Sequence, residues 1–226
     1  MSRDSDDSWD SYLDDEFDSV DRGHWDEEDW EQFLLRQDVL NAKYQELYET
    51  LRDHPNRDAI IAREMRWHHS SDDTFLAPPD DDDDLLDDEE WMAREEAFVA
   101  DLEAIPAYCL ALDLADRVEH CLAARLGDRA SADYDGAQAL RAAHEVSSHV
   151  ASGHSIGYER DTLCGNIACC RRAQRSLAEC FDSLVSLRRR GLLSPRETDA
   201  FLALGREASD AIARRIDELR RRVWWR

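Results

Sequence analysis

From Pro106 to Val223 apolar side chains recur at intervals of three and four residues, with breaks around Gly127, Gly153 and Gly191. That is the period of a helix burying one face, and it leaves little room for a sheet. Pro106 suits a first helical turn, where its missing N–H costs nothing. Tyr108, Ala111, Ala115, Val118 and Leu122 follow, and Gly127 ends the run. A second helix carries Leu140, Ala143, Val146 and Val150 on its face, with Gly153 placed to end it. The third starts at Thr162 and carries Leu163, Ile167, Cys170, Leu177, Phe181, Leu184 and Leu187. Its last turn holds Arg188, Arg189 and Arg190, which complement the negative end of the helix dipole, and Gly191 supplies the turn. The fourth start is the best marked: Ser194 and Glu197 form a capping box around Pro195. Phe201, Leu204, Ala208, Ile212, Ile216, Leu219 and Val223 continue its stripe. Four such helices joined by short loops bury their faces by folding up and down. The expected fold is all-α, an antiparallel four-helix bundle over residues 91–226.

The N-terminal part has different physics. Residues 1–100 hold 33 acidic and 9 basic side chains, whereas residues 101–226 hold 19 of each, so the whole net charge of −24 lies in the first part. Such asymmetry suggests a tail with its own task attached to a folded domain. Over residues 1–27 Asp and Ser alternate with isolated Trp9, Tyr12, Leu13, Phe17 and Trp25. Burial of so few apolar groups cannot offset the ordering entropy, so this arm reads as disordered when alone. Aromatics spaced among acids also suit a segment that folds onto a basic, partly apolar protein partner. Residues 28–69 read as helical. Trp30, Phe33, Leu40, Tyr44, Leu47 and Leu51 share a face of one helix ending near Arg52, and Asn56 is placed to cap a shorter one through Ile60, Ile61 and Trp67. Residues 70–90 read as a linker, with Pro78-Pro79 followed by five aspartates, Asp80 to Asp84.

Three stretches resemble one known family. Gly157-Tyr158-Glu159-Arg160-Asp161-Thr162 opens the third helix, Ser176-Leu177-Ala178-Glu179 lies within it, and Gly191-Leu192-Leu193-Ser194-Pro195-Arg196-Glu197 turns into the fourth. Their order and intervals resemble the four-helix-bundle proteins first noticed as open reading frames in intervening sequences of bacterial 23S ribosomal RNA genes. The resemblance spans about residues 106–222 and is strongest over 157–197. Glu159 stands where that family has a second glycine, and the acidic first hundred residues have no counterpart there. The resemblance implies a non-enzymatic bundle assembling into a ring, typically a pentamer. Some members serving diversity-generating retroelements are basic and bind nucleic acid and a reverse transcriptase, a role that a neutral bundle with an acidic arm does not favour.

Candidate chemistry is sparse. His144, Glu145, His149 and His154 cluster near the end of the second helix, with Glu145 and His149 one turn apart. A di-iron bundle instead needs inward Glu-x-x-His pairs on two helices, and helix-end polarity is the ordinary reading. Asp113, Asp116 and His120 read as a solvated face. Cys164, Cys169 and Cys170 lack zinc-knuckle spacing, and Cys170 falls on the apolar stripe. The six cysteines read as reduced, packed thiols of a cytoplasmic protein. The start, Met1 to Trp9, lacks the apolar run of a secretory signal, and no stretch approaches a membrane span. No catalytic residue, cofactor or metal is expected.

The distinctive surface is basic. Arg220, Arg221, Arg222, Trp224 and Trp225 end the fourth helix, and Arg171, Arg172 and Arg175 lie on the third. Arginine with tryptophan suits a protein interface, suits phosphate pairing and base stacking on RNA, and also suits a helix end folded back on its bundle. Lys43 is the only lysine, so arginine richness reflects composition as much as nucleic-acid binding. The favoured reading is a non-enzymatic, homo-oligomeric scaffold or protein-binding module whose acidic arm recruits a basic protein. The alternative is an RNA-associated bundle. The charge asymmetry further suggests that the arm docks on an arginine face of its own chain.

Overall fold

The computed structural model describes residues 25–67 and 88–224, and no strand occurs among them. The fold is all-α. The expectations for residues 1–24 and 68–87, covering most of the disordered arm and of the linker, lie outside the described residues. The chain divides into two compact units, residues 22–30 with 92–226 forming one and residues 31–91 belonging to the other.

The smaller unit holds most of α1 (Glu27–Thr50) and α2 (Arg57–Glu64). Tyr44 stacks at 5.8 Å from Trp67 and 6.0 Å from Tyr48, and the Arg57 guanidinium lies 4.5 Å from the Tyr48 ring. The helical reading of 28–69 thus corresponds to two helices. The side chain of Asn56, expected to cap the second, makes no capping hydrogen bond.

In the larger unit α3 (Asp88–Glu103), α4 (Pro106–Leu126), α5 (Tyr134–Ile156), α6 (Leu163–Arg189) and α7 (Pro195–Arg222) follow in order. Helix α3 corrects the sequence reading, which had a linker through residue 90 and placed no helix between it and Pro106. Acidic residues suit a solvated linker and a helix start equally well, so the composition at its beginning was ambiguous. Leu102 and Ile105 are buried at its C-terminal side.

Helices α4 to α7 share one core: α4 packs on α5 and α7, and α6 packs on the same two helices. Leu114, Val118, Leu122, Val146, Val150, Ile167, Leu184, Leu187 and Ile212 are fully buried there. Arg190, at the end of α6, binds Asp133 and Asp135 at the start of α5, and Arg125, near the end of α4, binds Glu197 in the first turn of α7. The capping box at Ser194 forms as expected, its hydroxyl accepting from the Glu197 N–H while the Glu197 carboxylate accepts from the Ser194 N–H. The Ser194 hydroxyl also donates to that carboxylate at 2.6 Å, and this bond first, then the Ser194 N–H and Arg125, lower the Glu197 carboxyl to about 2.

One boundary differs. Gly153 does not end α5, which continues to Ile156. A Cβ at position 153 would meet the Asn166 side-chain oxygen at 2.9 Å and the Cys169 Cβ at 3.1 Å, so this glycine permits close approach of α5 to α6. Gly157 ends the helix instead, in a left-handed conformation with φ of +116° that only glycine adopts easily.

Candidate interaction site

The charged bond that organises the larger unit's surface comes from a residue expected to be disordered. Asp26 caps α1: its carboxylate accepts from the Glu28 and Asp29 N–H groups at 2.7 and 3.0 Å, and its own N–H donates to the Asp29 carboxylate at 2.8 Å. This is the reciprocal logic of a capping box, built with two aspartates. It leads into a segment in which Glu27 meets α6 and α7, Trp30 lies on α6, and Trp25 packs on Trp30.

Glu27 sits in an arginine clamp. Arg220 donates to it with Nε and Nη2, at 2.9 and 2.7 Å, one bond to each carboxylate oxygen. Arg171, from α6, donates at 3.0 Å. A bidentate, charge-assisted pair of this kind is roughly twice as strong as a neutral hydrogen bond. The Arg220 bond, with Arg171 adding to it against partial burial, holds the Glu27 carboxyl below the usual glutamate range. The Glu27 side chain is 21% exposed and both arginines are 48% exposed, so solvent screens part of the attraction.

The apolar half of the contact is tighter. Trp30 is 3% exposed and Trp25 8%, their rings edge-to-face at 5.3 Å. The Trp30 indole lies directly on the backbone of Gly165, in the first turn of α6; a Cβ there would come within 2.7 Å of two ring carbons. From Leu163 to Cys170 every residue of α6 is buried. A bundle helix normally leaves one face to water; over these two turns α6 has none.

A second cluster lies where α5 ends. The Tyr158 hydroxyl is 2.6 Å from His154 Nδ1 and accepts from Arg215 at 2.8 Å. Arg222 donates to the Tyr158 carbonyl at 3.3 Å and lies 5.2 Å from its ring centroid. Phe98 of α3 stacks on His154 at 5.2 Å. The fully buried Asn166 donates to the Gly157 carbonyl and accepts from Arg215 and the Cys170 thiol. Burial, and then the Arg215 charge, hold the His154 imidazole below its ordinary pKa, so it is neutral at pH 7. The aromatic residue of the family-like motif over residues 157–162 is therefore a structural pin for the end of α7.

The basic residues singled out by sequence divide accordingly. Arg171 and Arg220 come together on Glu27, and Arg222 is engaged by Tyr158. Arg172 is buried at 7% exposure, so its place as a surface contact is corrected. Arg175 and Arg221 are exposed, Trp224 is 79% exposed, and Trp225 lies outside the described residues. Of the polar groups near the end of α5, His144 pairs with Glu119, Glu145 with Arg141, and His154 with Tyr158, so these three do not converge. Among the described residues no group of three or more His, Cys, Asp or Glu side chains is placed to hold a metal.

Three cysteine thiols are held in the protonated form. Burial pushes the Cys170 thiol up and the Cys180 thiol to about 12. An open groove of about 470 Å3 between α4 and α7 contains Cys121, His120, Arg117 and Phe201. There the Cys121 thiol donates to Glu197 at 3.7 Å, and burial together with that carboxylate raises its pKa. A thiol held neutral in this way is a weak nucleophile.

Sequence reasoning missed Glu27, Gly165 and the way Trp25 and Trp30 are used. The available signal was the Asp26-x-x-Asp29 cap flanked by two tryptophans. No helix among the described residues is long and apolar enough to cross a membrane. Compared with known protein families, curated proteins and solved structures, the chain finds no match.

Proposed function

We propose that this chain is a non-enzymatic scaffold and protein-binding module. In this reading α4 to α7 form an antiparallel up-and-down four-helix bundle that assembles with copies of itself, and the acidic, tryptophan-bearing N-terminal region is the recruiting element for a basic protein. The observation that carries it is Glu27 clamped by Arg220 and Arg171 between two buried tryptophans. The chain uses on itself the chemistry that the reading assigns to partners: a carboxylate for an arginine-bearing helical face, and indole rings for the apolar surface beside it. Tryptophan and arginine are also the residues enriched where interfaces concentrate their energy.

The neutral charge balance of residues 101–226 favours protein over RNA as the ligand class, since phosphate binding depends on excess cationic charge. Two of the arginines suited to phosphate, Arg171 and Arg220, already share the Glu27 carboxylate. The mass of the full chain measured by light scattering tests the reading. A particle of several chains, five in the ring that the family resemblance implies, supports it; a monomer at all concentrations removes the assembly. Salt-sensitive RNA binding by the unaltered chain would replace it with the nucleic-acid reading.

A further inference from the structure

The contact between residues 25–30 and α6 is separable from the core. The core shared by α4 to α7 contains Leu163, Ile167, Cys170 and Ala173 of α6, but neither Trp25 nor Trp30. Cys164, Ala168 and Cys169, buried on α6 as well, also lie outside it. The core is thus complete without the segment, and the segment covers a face rather than filling a hole.

Asp26 and Asp29 satisfy the first backbone groups of the segment, and Glu27 and Trp30 make its contacts with α6 and α7. Glu28 and Asp29 are exposed. What α6 and α7 meet is the pattern Glu-x-x-Trp at a capped helix start, with Trp25 packed on the second residue of the pair.

We infer that the face formed by Gly165, Arg171 and Arg220 also accepts this segment from a second copy of the chain, so that Glu27 and Trp30 of one copy complete the site of another. Identical sequence guarantees the fit, because the contacts made between copies are the ones made within a chain. Only the covalent connection through residues 31–91 distinguishes the two cases, and it gives the internal segment an effective concentration with which other copies must compete. Exchange between copies is therefore favoured when the internal segment is released or when copies are already gathered. A segment of one copy on the α6–α7 face of the next is a head-to-tail contact, the kind that propagates into rings or filaments. The inference rests on the assembly part of the proposed function, but the two can fail separately.

The test uses two full-length variants, each confirmed as helical by circular dichroism. Glu27→Arg leaves the face intact and turns its own segment away, since an arginine there meets Arg171 and Arg220. Gly165→Ala leaves the segment intact and blocks the face, since its methyl takes the place of the indole and offers no carboxylate to an arginine at 27. Fluorescently labelled E27R is titrated with unlabelled G165A, and anisotropy is read. Saturable association is expected. It should weaken at least tenfold when the donor also carries Trp30→Ala, or when the acceptor also carries Gly165→Ala, whose new methyl occupies the place of the indole. Association unaffected by W30A and G165A overturns the inference, as does absence of association, which makes the contact a clasp within one chain only. If the unaltered chain assembles while the pair does not associate, the scaffold survives and this face is excluded. If the unaltered chain is monomeric while the pair associates, the scaffold fails and the face stands.

Discussion

Replacing Gly165 with alanine sets two effects of opposite sign against each other, and the balance is set by Trp30. Glycine inside a helix costs about 1 kcal/mol relative to alanine, so on a free helix the change stabilises by that amount. Here the added Cβ would stand 2.7 Å from Trp30 Cδ2 and Cε3 and 2.9 Å from Cε2. The indole is rigid, buried to 3% and held edge-on by Trp25, so it cannot give way by rotating its far end. It must leave the face, and truncating a buried aromatic costs about 3 kcal/mol at the lower end of what is observed. The net expectation is a loss of about 2 kcal/mol, the difference between about 3 lost and about 1 gained. In a chain that already carries Trp30→Ala the clash is gone, and the same substitution should stabilise by about 1 kcal/mol. Urea denaturation followed by circular dichroism at 222 nm, on the four proteins of the cycle, measures both numbers. The coupling of about 3 kcal/mol between positions 165 and 30 is the quantity at issue. If G165A stabilises the unaltered chain as much as it stabilises W30A, Trp30 does not lie on this face.

Three further outcomes follow from the same contacts. Because the Glu27 pKa is depressed on docking, its contribution is full above the unfolded value of about 4.3 and is lost only as pH falls through the lower docked value. Protection factors of residues 25–30, which compare each exchange rate with the intrinsic rate at the same pH, should fall on acidification below about pH 4, and the Glu27→Gln variant should show low protection without that pH step. Ser194→Ala removes one half of the capping box and should lower stability by about 1 kcal/mol in urea, with the slope of the transition unchanged. With a thiol reagent at neutral pH the exposed Cys109 should react first and the half-buried Cys121 more slowly. Cys164, Cys169, Cys170 and Cys180 should react only on unfolding, and rapid labelling of more than two thiols would contradict their burial.

What was legible in the sequence was what the chain decides locally. Thr162 precedes α6, Gly191 turns the chain after it, and the box at Ser194 opens α7, because each depends on residues within one turn. The apolar stripes were legible for the same reason, and those of α6 and α7 form the core almost residue by residue. The misreadings have long-range causes. Gly153 looked like a helix end, but it is small because Asn166 and Cys169, from another helix, press against it. Trp25 and Glu27 looked too polar and too sparse to order, since the surface that orders them lies on α6 and α7. Arg172 looked like its neighbours Arg171 and Arg175, and only its place on the packed face of α6 distinguishes it. The suggestion that the acidic arm meets an arginine face of its own chain came from charge balance alone. The structure gives it a partner set at one carboxylate, Glu27.

The account turns on the bond between that carboxylate and Arg220, and exchanging the two charges tests it most directly. Hydrogen exchange over residues 25–30 should be slow in the unaltered full chain, fast in Glu27→Arg and fast in Arg220→Glu. It should return substantially toward the slow rate in the double variant, where an arginine at 27 faces a glutamate at 220. Slow exchange in both single variants, or no recovery in the double, would mean that Arg220 does not hold the segment in place.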